Sequence, residues 1–487
     1  MSVIIGRKAE QKILLNVMQS TAAEFVVVYG RRRIGKTYLI EQFFLKHDCL
    51  FFRVTGIQNG KIKDQLREFA KGIGLSFYQG ASIAQPDSWM NAFEELTKAI
   101  ENVKSKKKII LFLDELPWMA TRRSGILEAL GYYWNQYWSQ NERLKLIACG
   151  SSASWIIKNI IYNKGGLHNR ATKEILLSAF SLLECKEFLQ SRGIKFNDNQ
   201  ILQLYAVMGG VPHYLKHVEP AHSATENINN LCFRENGLLF AEFDKLFKSL
   251  FKNAKIYIEL IKIIATTHQG ISRVDIEKKS KLTTKGGTLT ERLNDLELAG
   301  FIKSFLPLKS KQQGVFYKVI DEYVYFYLKW IAPEKQALLG FDSSNEYFTE
   351  KIGTPGYYNW MGYTFESICY KHIPQIRAAL GISSGARVGT WRHIPPKGSK
   401  EQGVQIDLLF DRKDDTVNIC EIKCTEKPFV IDKLYYYSLL NKINVYKFET
   451  KTTKQLFVVF VSATGLKKNT YANEIVDRVV TLEDLFK

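Results

Sequence analysis

The sequence predicts an α/β protein of several domains, and three observations carry that prediction. Five apolar runs alternate with amphipathic helical stretches up to about residue 180, a glycine-rich loop follows the first run directly, and 487 residues are too many for one hydrophobic core. The runs lie at 25–29, 50–54, 109–113, 144–149 and 174–178. Strands separated by helices form mostly parallel sheets, and a strand buried on both faces reads as an unbroken apolar run.

The first run, Phe25-Val26-Val27-Val28-Tyr29, leads into Gly30-Arg31-Arg32-Arg33-Ile34-Gly35-Lys36-Thr37, a GxxxxGKT phosphate loop, and then into the helical pattern of Tyr38 to Phe44. Glycines at that spacing let the backbone curl until successive N–H groups point at phosphate oxygens, in front of the positive end of a helix. Lys36 is expected to reach the β and γ phosphates of ATP and Thr37 to hold Mg²⁺. The whole stretch from Gly30 to Tyr38 is thus the expected nucleotide cradle.

The third run, Ile109 to Leu113, ends in Asp114-Glu115, 77 residues beyond Thr37. Asp114 is expected to complete the Mg²⁺ shell and Glu115 to orient or deprotonate the water that attacks the γ phosphate. The fourth run ends in Gly150-Ser151-Ser152. A hydroxyl there, Ser151 foremost, either touches the γ phosphate or caps the helix that follows, and the sequence leaves both open. Arg170, in Gly165-Gly166-Leu167-His168-Asn169-Arg170, is either a finger acting in trans on a neighbouring copy's nucleotide or a solvated surface residue. The former implies a homo-oligomer.

The chain carries 68 Lys and Arg against 49 Asp and Glu, a formal charge of +19 at pH 7, which suits a polyanionic partner such as nucleic acid. Its seven cysteines are scattered, without a CxxC pair or a His at metal-ligand spacing, and read as reduced thiols of a cytoplasmic protein. The start Met1-Ser2-Val3-Ile4-Ile5-Gly6-Arg7-Lys8 is too short an apolar stretch for a signal peptide. Nowhere do 18 uncharged apolar residues run together, so no membrane association is expected.

Beyond the core, 1–180, strand signals vanish and Leu182, Leu183, Phe188, Leu189, Ile201, Leu202, Leu204 and Tyr205 recur at helical spacing, so 181–252 is expected to be a small helical subdomain. The third unit, 253–330, reads as helices around 257–265, 273–279 and 289–299 with a turn at Gly286-Gly287, then a hairpin of 301–305 and 315–319. That order resembles a winged helix-turn-helix, either with the last helix for a major groove and Lys309 to Gly314 as a wing for phosphates or as a packing or dimerisation module only. Between 254 and 320 there are twelve Lys or Arg and six Asp or Glu, an excess of six. Residues 331–356, with Pro333, Gly340, Ser343, Ser344, Gly353, Pro355 and Gly356, read as a connection to a last domain, 357–487.

In that last domain Gly403 to Phe410 and Thr416 to Lys423 flank the polar turn Asp411 to Asp415 and read as an antiparallel hairpin. Side chains alternate along a strand, so Glu421 and Lys423 share a face and the hairpin brings Asp407 close to Glu421. Burying two carboxylates in apolar strands costs several kcal/mol unless a cation compensates, which points to a Mg²⁺ site at Asp407 and Glu421. Such a metal activates water and stabilises charge on phosphorus oxygens, Lys423 positions the nucleophile, and Glu366 on an earlier predicted helix is a third acidic member. An E-x-K triplet alone says little: Glu10-Gln11-Lys12 and Glu277-Lys278-Lys279 occur without that setting. A cross-strand salt-bridge face is the alternative. Asp432 to Tyr437 combines charge with aromatics that suit either a nucleic-acid backbone or a core.

With both constellations in view, nearly the whole chain resembles the archaeal-type AAA+ ATPases, also present in bacteria, whose C-terminal domain looks like a PD-(D/E)XK nuclease. The residues that carry the resemblance are Ile5 to Glu10, Tyr29 to Thr37, Phe112 to Trp118, Gly150-Ser151-Ser152, Met208 to Leu215 and the hairpin from Asp407 to Lys423. It implies a P-loop AAA+ core, a helical lid, a winged helix-turn-helix and a restriction-endonuclease-like α/β domain, with Arg170 where relatives have a finger-like Arg. One departure stands out: the broader class often has a lid Arg near the γ phosphate, and here the lid stretch offers only His213 and Lys216. The expectation is an ATPase coupled to binding of double-stranded DNA and Mg²⁺-dependent cleavage, in defence or DNA processing. The alternative is a nucleotide-dependent switch that holds DNA or a protein without cutting.

Overall fold

The structure is a computed structural model that describes residues 3–121, 123–280, 286–306, 314–339, 346–395, 398 and 403–487. It divides into two compact units, Met1–Ala179 with Asn294–Gly300, and Phe180–Leu293 with Phe301–Lys487.

In the first unit, β1 (Glu24–Tyr29), β2 (Cys49–Thr55), β3 (Lys108–Asp114), β4 (Leu144–Gly150) and β5 (Lys173–Leu176) form one sheet in the order β2-β3-β4-β1-β5. Every pairing is parallel. Alternate residues of each strand enter two separate cores, which is why the strands read as unbroken apolar runs. Phe25, Val27, Leu111, Leu113, Leu146 and Ala148 pack under the helices Ile62–Phe77, Trp89–Glu101 and Ile126–Gln136. Val26, Val28, Ile110, Phe112 and Ile147 pack against Leu39, Ile40, Phe43 and Phe44 of the helix Lys36–Phe44. The edge strand β5 stops at Leu176, short of the expected 178, where Leu177 still donates its N–H to Tyr29.

The chain order runs β1, β2, β3, β4, yet β1 lies beside β4 and not beside β2. Open parallel sheets bind ligands outside the carboxyl ends of their strands at such a reversal. Tyr29 pairs with Gly150 and Leu113 with Ala148, so the ends of β1 and β3 flank the end of β4.

The second unit begins with helices alone: Leu182–Ser191, Asp198–Met208, Pro212–Leu215, Ala224–Cys232 and Glu242–Leu250. Ser181 with Glu184 and Ser223 with Glu226 form capping boxes, each satisfying two otherwise orphaned N–H groups. Helices Ala254–Ala265, Arg273–Lys279 and Gly286–Leu298 follow, with an antiparallel sheet of β6 (Ile271–Ser272), β7 (Ile302–Phe305) and β8 (Phe316–Val319) in the order β6-β8-β7. Gly286 and Gly287, expected as a turn, open the third helix, with Gly286 at φ 59°. Most of the expected wing, Lys309 to Gln313, lies outside the described residues, as do Gly340, Ser343 and Ser344. The stretch read as a connection contains the short helices Lys335–Leu338 and Tyr347–Lys351, the second burying Phe348 against Phe326 and Trp360.

The chain closes on helices Pro355–Lys371 and Ile373–Leu380 and a mixed sheet in the order β13-β12-β11-β10-β9. Here β9 (Arg387–His393), β10 (Val404–Asp411) and β11 (Thr416–Lys423) are antiparallel, whereas β12 (Gln455–Ser462) and β13 (Arg478–Thr481) run parallel to β11. The helix Lys433–Thr450 covers one face through Leu439 and Tyr446.

Candidate functional site

At the end of β1 the backbone turns at Gly30 with φ 143°, and a β-carbon there would lie 2.2 Å from the Leu177 carbonyl oxygen. Only glycine fits. Gly35, at φ 88°, caps the helix Lys36–Phe44 and faces open space within 4 Å. Arg33 (φ 72°) and, after β3, Glu115 (φ 50°) hold left-handed conformations costly for side-chain-bearing residues, and such strain concentrates where function demands it.

The buried Lys36 donates from Nζ to the carbonyls of Gly30 (3.0 Å) and Arg31 (2.9 Å) and to Ser151 Oγ (3.0 Å). Burial lowers its pKa against the pull of the neighbouring acids. Thr37 Oγ1 donates to both carboxylate oxygens of Asp114, at 3.0 and 3.1 Å. Glu115 accepts from the Ser151 N–H (3.0 Å) and from Ser151 Oγ. Lys36, Thr37, Asp114, Glu115 and Ser151 therefore converge at the carboxyl end of the sheet. Ser151 bridges the phosphate-loop lysine to the acidic strand end, and Ser152, at the cap position of the next helix, makes no side-chain cap bond.

Of the remaining cradle residues, Ile34 is buried, Arg31, Arg32 and Arg33 are half-buried with Arg32 over the Trp118 ring at 5.8 Å, and Tyr38 is exposed. Arg170 is exposed after the buried Leu167, and among the described residues its side chain has neither hydrogen bond nor ion pair. Sequence reasoning missed three supports. Arg7, at φ 56°, donates to the Ile34 carbonyl (3.3 Å), Thr55 Oγ1 donates to Asp114 (3.3 Å), and Arg53 pairs with Glu41 and with Asp114 (3.5 Å). Thr55 and Arg53 were legible only as an alternation along β2.

The second constellation lies wholly in the second unit. The β10–β11 ladder pairs Leu408 with Cys420, which sets Asp407 and Glu421 one step further along. Asp407 is buried and accepts the Ile422 N–H at 3.1 Å. Glu421 is more thoroughly engaged: Lys423 at 2.8 Å, Lys442 at 2.7 Å and the Tyr435 hydroxyl at 2.6 Å. Burial pushes its carboxyl up, but the two ammonium groups outweigh burial and hold it at about 2. Glu366, on the helix Pro355–Lys371, is pushed up to about 8 by burial and then by Asp407; Asp407 itself is pushed up to about 6 by burial and then by Glu421.

Lys442, Tyr435 and Lys318 were not read as members of this site. Lys442 stands two helical turns after Tyr435, so both face the strand that carries Glu421. The aromatic run divides accordingly: Tyr435 donates to Glu421, Tyr436 to Glu474, and Tyr437 is exposed. No group of three or more His, Cys, Asp or Glu among the described residues is arranged to hold a metal ion. No described helix is long and apolar enough to cross a membrane.

Residues 5–218 match the family described as an ATPase domain predominantly from Archaea. More particularly, the chain is similar to an uncharacterized protein of Methanocaldococcus jannaschii, at 24% identity over 441 residues, 89% of this chain and 90% of that protein. Among solved structures it is similar to the Walker-type ATPase PABY2304 of Pyrococcus abyssi, with 18% identity and a TM-score of 0.47, over 67% of this chain and 96% of that one. It is also similar to the Aeropyrum pernix ORC2 protein in its ADPNP-ADP complexes, with 15% identity and a TM-score of 0.40, over 68% of this chain and 93% of that one.

Proposed function

We propose that this chain is an ATP hydrolase whose nucleotide state controls binding and Mg²⁺-dependent cleavage of double-stranded DNA. The observation that carries the ATPase half is the meeting of Lys36, Thr37, Asp114 and Glu115 at one end of the parallel sheet. A hydroxyl and a carboxylate 3.0 Å apart are hard oxygen donors of the kind Mg²⁺ takes, and the loop in front of them presents backbone N–H groups and an ammonium to phosphates. Mg²⁺, held at Thr37 and Asp114 and again at Asp407 and Glu421 with Glu366 as a third acidic member, would neutralise charge on phosphorus oxygens and make a bound water more acidic.

The chain's own residues do the rest. Lys36 exchanges its carbonyl partners for the β and γ phosphates, a small movement for a flexible stem. Glu115 accepts the proton of the attacking water once Ser151 releases it, and Ser151 then faces the γ phosphate. Arg170 completes the site of a neighbouring copy in a homo-oligomer. In the second site Lys423 orients the nucleophile, and Glu421, tied to Lys423 and Lys442, positions that lysine.

The proposed organisation is a P-loop AAA+ core at 1–180, a lid at 181–252, a winged helix-turn-helix at 253–330, a connection at 331–356 and a restriction-endonuclease-like domain at 357–487, in the cytoplasm. ATP turnover should be abolished by Lys36→Ala, and nicking of duplex DNA by Lys423→Ala with turnover intact. Robust turnover with no cleavage of DNA or RNA in Mg²⁺ or Mn²⁺ would remove the nuclease half.

A second reading, a nucleotide-dependent switch that grips DNA or a protein without cutting, draws on the commitment of Glu421 to two lysines and a tyrosine. DNA affinity that differs between ATP and ADP yet ignores Asp407→Ala would favour it.

A further inference from the structure

Around the join between the helices Glu242–Leu250 and Ala254–Ala265, the acidic side chains have partners and the lysines do not. Glu242 is buried and accepts from the Tyr214 hydroxyl at 3.1 Å, Asp244 pairs with Lys335 at 3.3 Å, and Glu259 accepts from the Ser280 hydroxyl at 3.4 Å. Lys245, Lys248, Lys252, Lys255 and Lys262 are all exposed, and among the described residues none of these five side chains has a hydrogen-bond or ion-pair partner.

The apolar pattern dictates where those lysines stand. On the first helix Phe243, Leu246 and Phe247 fill the buried side, which leaves Lys245 and Lys248 outward one turn apart. On the second, Leu260, Ile261 and Ile264 are buried, and Lys255 and Lys262 recur on the opposite side. Lys252 lies in the link 251–253, where the Phe251 ring stacks on Tyr257 at 4.0 Å, so lysines follow one another every three or four residues from 245 to 255. Like charges a turn apart destabilise a helix, and the nearest acids, Asp244 and Glu259, are engaged elsewhere.

A row of unpaired ammonium groups fits a polyanion with closely repeated charges, and duplex DNA carries one phosphate charge per about 1.7 Å of its axis. Lysine is a point charge without the fork that reads base edges, which suits the backbone rather than the sequence. No large apolar or aromatic side chain among the described residues 242–265 is exposed, so the surface lacks both the anchors that enter a membrane and the platforms on which single strands stack. The helix Gly286–Leu298, expected in a major groove, carries one cation, Arg292, against Glu291, Asp295 and Glu297, and Glu291 is exposed. A groove bordered by phosphates repels such a helix.

We propose that Lys245, Lys248, Lys252, Lys255 and Lys262 form the surface that lies along the phosphate backbone of duplex DNA, so that the chain grips DNA without reading its sequence through the helix Gly286–Leu298. This rests on the reading of the chain as a DNA-binding ATPase.

Fluorescence anisotropy of two labelled duplexes of unrelated sequence, titrated with the full chain in EDTA at several KCl concentrations, tests this. Each phosphate contact contributes about 0.9 to the slope of log affinity against log salt. Lys245→Gln, Lys248→Gln, Lys252→Gln and Lys255→Gln combined are expected to flatten that slope by about 3 to 4 and to weaken both duplexes alike. Arg at the same four positions should keep the slope, and Thr288→Ala with Asn294→Ala should change neither slope nor sequence preference. Circular dichroism checks the fold of the combined variant, and each single Lys→Gln change, expected to flatten the slope by about 0.9, reads the same effect if the combination does not fold. A slope unchanged by the Gln variants, while the parent binds in a salt-dependent way, would overturn the lysine surface and leave DNA binding standing. Loss of a sequence preference with Asn294→Ala would do likewise. Absence of salt-dependent binding of duplex DNA by the parent would overturn both, and tighter lysine-dependent binding of single strands or of anionic vesicles would overturn the choice of duplex DNA.

Discussion

His372 offers a prediction whose size follows from the structure. It follows the helix Pro355–Lys371, is 1% exposed, and its Nδ1 lies 2.8 Å from the Ile368 carbonyl while its Nε2 accepts the N–H of Leu182 at 3.0 Å. The ring is therefore neutral with the proton on Nδ1. A second proton on Nε2 would turn an acceptor into a donor facing the Leu182 N–H, in a buried place. Burial foremost, with the nearby Lys371 charge, holds its pKa at about 4 against an ordinary 6.5. A histidine depressed on folding contributes stability that is complete above 6.5 and lost as pH falls, because the unfolded chain takes the proton first. At about 1.36 kcal/mol per pH unit, the second unit should have lost about 2 kcal/mol by pH 5 and about 3 kcal/mol by pH 4, counted from neutral pH. Hydrogen exchange of the Leu182 amide and urea unfolding followed at several pH values measure this. His372→Gln, which keeps an acceptor and does not titrate, should flatten the pH slope by that amount. An unchanged slope in the variant would refute the reasoning, since no other residue could then be credited to this ring.

Gly30→Ala should destabilise the first unit by about 3 kcal/mol or more, since its β-carbon would collide with the Leu177 carbonyl at 2.2 Å in a conformation alanine avoids; denaturant midpoints and nucleotide affinity would both register it. Glu421→Gln leaves Lys423 and Lys442 without their shared anion, and a loss of about 3 kcal/mol is expected in chemical unfolding, the low end for a broken buried pair because both lysines reach solvent. Arg170→Ala should leave unfolding within about 0.5 kcal/mol of the parent, since the side chain is exposed, while turnover falls about a thousandfold at concentrations where copies associate. Turnover unaffected at every concentration would make Arg170 a surface residue only.

Much of the nucleotide site is legible in the sequence because its chemistry is local. Phosphate loops need glycine at two fixed positions, and the buried strands before Gly30 and Asp114 announce themselves as unbroken apolar runs. What escaped was support reached through space: Arg7 under Ile34 and Arg53 with Thr55 beside Asp114 lie 27 to 61 residues from what they touch. No period or spacing encodes such a partner. The same limit explains Lys442 and Tyr435, which a helical stretch of evenly spread polarity gave no reason to choose. Gly286-Gly287 misled because a glycine pair marks a left-handed backbone without saying whether a turn or a helix follows.

By itself the sequence determined the α/β class of the first unit, the phosphate loop with its acidic strand, and the pairing of Asp407 with Glu421 across a hairpin, because alternation along strands and glycine geometry act within a few residues. Only the tertiary structure decided that Ser151 bridges Lys36 to Glu115, that Glu421 is claimed by two lysines, and that Lys318 lines one cleft with Glu366 and Asp407. Charges interact through space and through the burial that weakens screening, and neither distance nor burial is written in the order of residues.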